Sequence, residues 1–167
     1  DEINANCVYE EGWTAIHATT LYDQMKRLSD YFLEKDLDFE HDFFCSLYNE
    51  DFFQPKDPDD LQCWCGGTGN SMIACDPQGR IFPCIRYMES SLNGAQEPYS
   101  IGDVDNGIGH TKCYECRIQC MAKIDRRTSS TDECFYCPIA TGCSNCSGYD
   151  YQVNGTPDSR ATYICIM

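Results

Sequence analysis

Seven cysteines carry the chemistry that this chain offers most directly. They run Cys65, thirteen residues, Gly79, four residues, Cys84; then, after a gap, Cys134, two residues, Cys137, five residues, Cys143, two residues, Cys146, and finally Cys165. Cysteines two residues apart deliver two thiolates from a single tight loop, because adjacent backbone amides fold over one metal. Four of the seven lie in the stretch Cys134-Phe-Tyr-Cys137-Pro-Ile-Ala-Thr-Gly-Cys143-Ser-Asn-Cys146. Four thiolates close one tetrahedral zinc site or one 4Fe–4S cluster, and spacing alone does not separate the two. Pro138 directly after one pair and Gly142 directly before the next ligand both suit a loop whose amides point at inorganic sulfide.

The elements that must position these thiols are short. Ser71 to Cys75 and Arg80 to Phe82 read as the strands of a hairpin, joined by Asp76-Pro77-Gln78-Gly79. Gly79 supplies the left-handed backbone that such a turn needs, and the turn sets Cys84 just past the second strand, near Cys65. Ile101 to Val104 reads as a further extended piece. Cys113, Cys116 and Cys120 fall at i, i+3 and i+7, one face of a helix. For that face a buried stripe of small residues is preferred over a further metal site, since free cysteine buries readily.

Upstream, Ile3 to Tyr9 reads as a strand, and Leu21, Met25, Leu28 and Phe32 recur at helical spacing within a helix from about Thr14 to Lys35. A strand, a turn at Glu10-Glu11-Gly12 and a helix make one β/α unit, which cannot bury its own apolar stripe. From Glu34 to Asp60 acidic residues alternate with Phe39, Phe43, Phe44, Phe52 and Phe53, the pattern of a solvated connector pinned by aromatics, and Pro55-Lys56-Asp57-Pro58 marks a boundary. The expected domains are therefore 1–58, a terminal β/α unit with an acidic linker, and 59–167, a small cysteine-rich α+β domain of β-hairpins and short helices.

Composition bounds the partners. Twelve of the fourteen cysteines lie beyond Leu61, where Leu92 is the only further leucine, so this half needs covalent or metal staples in place of a large aliphatic core. The net charge of −15 argues against nucleic acid and against an anionic membrane surface. No apolar run reaches membrane-spanning length. The chain opens on Asp1 rather than Met, which fits a processed protein or an excised piece. An even cysteine count, with the glycosylation triplets at Asn145 and Asn154, also suits a secreted disulfide scaffold. The close Cys-x-x-Cys pairs favour metal in a reduced, cytoplasmic chain.

The ordered framework, together with Cys65-Gly-Gly-Thr-Gly and Asp76-Pro-Gln-Gly-Arg-Ile-Phe-Pro-Cys84, resembles the SPASM domain of radical S-adenosylmethionine enzymes over about residues 63 to 167. The opening strand and helix resemble the last β/α unit of that family's partial TIM barrel. The stretches Cys84-Ile-Arg-Tyr-Met88 and Ile101-Gly-Asp-Val104 resemble its peptide-modifying maturases. The resemblance implies two auxiliary 4Fe–4S clusters wrapped by the domain. Cys134, Cys137, Cys143 and Cys165 would hold the outer cluster. Cys65, Cys84 and Cys146 would hold the inner one, with Cys75 or Cys63 as fourth ligand, or one iron left open for a substrate thiolate. It further implies a cysteine-containing precursor peptide as partner, thioether-type crosslinking as the reaction, and a radical S-adenosylmethionine core on the same or a separate chain. S-adenosylmethionine and its own cluster would belong to the full-length enzyme only.

Three departures qualify the match. Cys143 and Cys146 are separated by two residues where the family usually has three. Ile85 stands where sulfatase-maturing members carry an aspartate base, which argues against that chemistry. No Cys-x3-Cys-x2-Cys occurs, so this chain alone is not expected to generate a radical, and no catalytic residue is assigned. The alternative reading is a zinc-stapled interaction module without redox activity. His17, His41 and His110 lack metal spacing, and Glu10-Glu11 reads as a solvated turn.

Overall fold

The computed structural model describes residues 2–3, 12–37, 44–49, 53–62, 71–143, 145–162 and 165. It mixes helices with a small antiparallel sheet, as an α+β chain should. Two compact units emerge: Asp1–Asp51 with Thr162–Met167, and Phe52–Ala161. Among the described residues, no helix is long and apolar enough to cross a membrane.

In the first unit, strand β1 (Glu2–Ile3) runs parallel to β2 (Phe44–Cys45), with helix α1 (Ala15–Lys35) between them in sequence. The rest of the expected first strand, with Glu10 and Glu11, lies outside the described residues, as do Phe39, His41, Phe43 and Phe52. The helix matches its expected span, and its apolar stripe faces inward: Leu21, Met25 and Leu28 are half-buried and Phe32 is buried. Tyr48 anchors that stripe. Its hydroxyl donates to the Met25 carbonyl and accepts from Ser29 Oγ at 3.0 Å, while its ring meets Phe32 edge-on at 6.5 Å. His17 is exposed at the start of the helix. Its Nδ1 accepts from the Thr14 amide at 3.1 Å and so satisfies a donor at the helix start. At the other end Asp36 turns left-handed (φ 52°), and the Leu37 amide closes on the Phe32 carbonyl at 3.1 Å.

The second unit is built on an antiparallel sheet in the order β3 (Ala74–Cys75), β4 (Arg80–Phe82), β5 (Gly102–Asp103), β6 (Gly107–Ile108). The β3–β4 hairpin forms as expected, although its first strand is shorter than the pattern suggested. Asp76 organises the turn: one carboxylate oxygen accepts the amides of Gln78 (3.0 Å) and Arg80 (2.9 Å), and the other takes Arg80 Nε at 2.6 Å. Gly79 has φ 78°, its amide donates to the Asp76 carbonyl at 2.9 Å, and an added Cβ would lie 2.8 Å from Val104 Cγ2. Gly79→Ala should therefore cost about 1–2 kcal/mol in urea unfolding, from left-handed strain plus the contact. Adding Val104→Ala should recover only the contact. Full recovery would place the strain elsewhere.

After β4, Cys84 opens a 3₁₀ turn (Ile85–Tyr87), followed by α2 (Glu89–Leu92), α3 (Lys112–Met121), α4 (Arg126–Ser129), α5 (Asp132–Phe135) and α6 (Ser147–Asn154). The core is aromatic. Phe82, Cys84, Tyr87 and Met121 are buried together, with Met88, Tyr99, Ile124 and Tyr151 against them. The rings of Tyr87, Tyr99 and Tyr151 lie 5.1 to 5.8 Å apart. Aromatic rings supply the contact area that the missing leucines would otherwise give.

Arg126 closes the lower part of this unit. It is buried, and its guanidinium donates to the carbonyls of Asp57 (3.0 Å), Asp60 (3.2 Å) and Phe135 while lying 4.1 Å over the Phe135 ring. Its own amide donates to the Leu61 carbonyl at 2.9 Å, and the Thr141 amide donates to the Gln54 carbonyl at 3.1 Å. The end of the acidic segment is thus tied down here through its backbone oxygens, while Phe53 is exposed.

Candidate metal centre

Cys134 lies in α5, whose start is capped by Thr131 Oγ1 accepting the Cys134 amide at 3.4 Å. From there the chain folds into successive tight turns. The Cys137 amide donates to the Cys134 carbonyl (3.4 Å), Ala140 to Cys137 (3.1 Å) and Cys143 to Ala140 (3.3 Å). These turns bring three half-buried thiols onto one loop, close enough for their charges to act on one another. Burial pushes the Cys143 thiol above its ordinary pKa; Arg160 opposes this, and Cys137 and Cys134 add to it. Asp150, buried nearby on α6, is pushed up to about 6 by burial, although it accepts the Ala161 amide at 2.8 Å.

A second grouping forms around Tyr87. Cys84 ends the hairpin and is buried; Cys146 is the residue from which α6 starts, its carbonyl accepting the Asp150 amide at 2.9 Å. Both act on the Tyr87 hydroxyl, whose pKa is raised first by burial and further by Cys84 and Cys146, while a Ser147 side-chain hydrogen bond lowers it. The close approach of α6 to the turn carrying Arg86 is possible because residue 148 is glycine: a Cβ there would lie 2.4 Å from Arg86 Cβ.

Cys134, Cys137 and Cys143 thus share one loop, and Cys84 and Cys146 both act on Tyr87. Cys63 and Cys65 lie outside the described residues. Cys75 is exposed on β3, its thiol donating to the Asp76 carbonyl at 3.4 Å. Cys165 is exposed in the first unit, where its amide donates to the Thr162 carbonyl at 3.0 Å. The stripe Cys113, Cys116 and Cys120 is not core, contrary to expectation: all three are exposed, and Met121 turns inward instead.

No disulfide joins any two of the eleven described cysteines. Asn145, a potential glycan acceptor, is buried. Sulfurs on one zinc ion sit about 3.8 Å apart. Among the described residues, no three His, Cys, Asp or Glu side chains are gathered to hold one metal ion. A multi-iron core spreads its thiolates wider, so three thiols on one half-buried loop beside a cation fit such a group in donor type and setting. Sequence reasoning missed Tyr87 near Cys84 and Cys146 and Arg160 near Cys143, because both proximities arise across the fold with no spacing signal.

No protein-family model, curated protein or solved structure matches this chain.

Proposed function

We propose that the chain is an auxiliary iron–sulfur module of a radical S-adenosylmethionine enzyme that modifies a cysteine-containing peptide, working beside a radical-generating core in the reducing cytoplasm. The observation that carries this reading is the loop of Cys134, Cys137 and Cys143, wound by consecutive turns so that three thiols share one electrostatic neighbourhood. Cys84 and Cys146, meeting at Tyr87, would supply a second group. When bound, such clusters supply electron transfer and an iron able to take a substrate thiolate.

The chain's own residues hold and tune. Arg160 offsets the accumulating negative charge at Cys143, easing loss of the thiol proton that metal binding requires. Tyr87 and Ser147 place hydroxyls beside Cys84 and Cys146, and hydrogen bonds near cluster sulfurs set reduction potentials.

Protein prepared without oxygen should be brown, absorb near about 400 nm, and carry iron and acid-labile sulfide at roughly eight each per chain. Colourless protein holding two zinc ions would instead establish the zinc-stapled module. Mass spectrometry showing seven disulfides would dismiss both.

A further inference from the structure

The three cysteines of α3 stand outside both groupings. Cys116 and Cys120 are both exposed and stand one helical turn apart on the same face of α3. Exposed thiols gain nothing from burial, so the stripe has no role as core.

The pair is also poorly built for a disulfide. Residues four apart on a helix hold their Cβ atoms about 5–6 Å apart, whereas a disulfide wants about 3.5–4.5 Å. An ion between the sulfurs removes that mismatch, because two metal–sulfur bonds of about 2.3 Å span the gap without unwinding the helix. Thiolates select soft cations over magnesium or calcium. Among the described residues, no three His, Cys, Asp or Glu side chains are grouped to hold a metal ion, so an ion content with two thiolates suits the pair best.

The turn that carries the pair is held rigidly. Tyr99 donates its hydroxyl to the Arg117 carbonyl at 3.5 Å; the Arg117 guanidinium donates to the Ser100 carbonyl at 2.7 Å and stacks 4.9 Å over the Tyr99 ring. Lys123 adds positive charge near Cys120, and Asp158 adds negative charge. We propose that Cys116 and Cys120 form a dithiol site on the exposed face of α3 that chelates a soft, two-coordinate cation of the Cu(I) class. One ion enters and two thiol protons leave. The site is separate from the cysteines proposed to hold iron.

Two measurements on anaerobic full-length protein test this. In competition with bicinchoninate-held Cu(I), wild type and Cys113→Ser should each take up about one more ion per chain than Cys116→Ser/Cys120→Ser. Either single serine variant should lower the affinity of that ion at least about tenfold, since its second bond is no longer intramolecular. Iron content should be the same in all of these proteins, which separates failure of this site from failure of the iron–sulfur reading.

The second probe, phenylarsine oxide, reports geometry. Its As–O bond breaks, two As–S bonds form and water leaves. Trypsin cuts after Arg117, so a bridge from Cys116 to Cys120 leaves peptides 113–117 and 118–123 joined through one arsenic. Equal Cu(I) uptake by the double variant overturns the proposal, as does arsenic confined to Cys113–Cys116 or to cysteines outside α3.

Discussion

Cys137→Ala is expected to remove about half of the iron, lowering it from roughly eight to roughly four per chain, with a parallel fall in absorbance near about 400 nm. The backbone argument makes this a clean test. The Cys137 amide and carbonyl bond to Cys134 and Ala140, and alanine keeps both bonds. What disappears is one thiolate, and with it a group whose binding energy is also folding energy, so the unfolding midpoint in urea should fall together with the iron. Cys116→Ala and Cys113→Ala should keep full iron, because both lie on the exposed face of α3. Full iron in Cys137→Ala would remove the central loop from the proposed centre.

Arg126→Met should destabilise the protein by roughly 3 kcal/mol or more, the largest effect expected of any change away from the cysteines. Methionine fills the volume and keeps the stem packed, but leaves the carbonyls of Asp57, Asp60 and Phe135 without their shared donor. Lysine should rescue only in part, since a compact ammonium cannot both fork to separated carbonyls and lie flat over Phe135. Urea unfolding of iron-loaded Arg126→Met, Arg126→Lys and wild type measures this. A loss below about 1 kcal/mol for the methionine variant would mean that water or a shifted backbone satisfies those oxygens.

These expectations show which parts of the molecule local pattern could reveal. Helix α1 was legible because Leu21, Met25, Leu28 and Phe32 repeat over several turns. The β3–β4 hairpin was legible because a left-handed turn asks for glycine, and Gly79 occupies the required place. The helical stripe of Cys113, Cys116 and Cys120 was legible as one face, but periodicity does not say whether a face looks inward. Met121, adjacent to Cys120, is the residue that packs against Tyr87. Helices α4 and α5 span four residues each, too few for any period, and reveal themselves only through caps such as Asp125 with Thr128. The approach of Cys84 and Cys146 to Tyr87 goes with Gly148 meeting Arg86, a contact between segments about sixty residues apart in sequence that no spacing encodes.

The hold of Arg126 on Asp57, Asp60 and Leu61 also bears on how the molecule can be dissected. A shortened form beginning at the first thiol of the motif would amputate the strap that Arg126 grips and strand a cation in the interior. The smallest autonomous piece therefore starts several residues upstream of its chemistry, on a stretch that looks dispensable by composition.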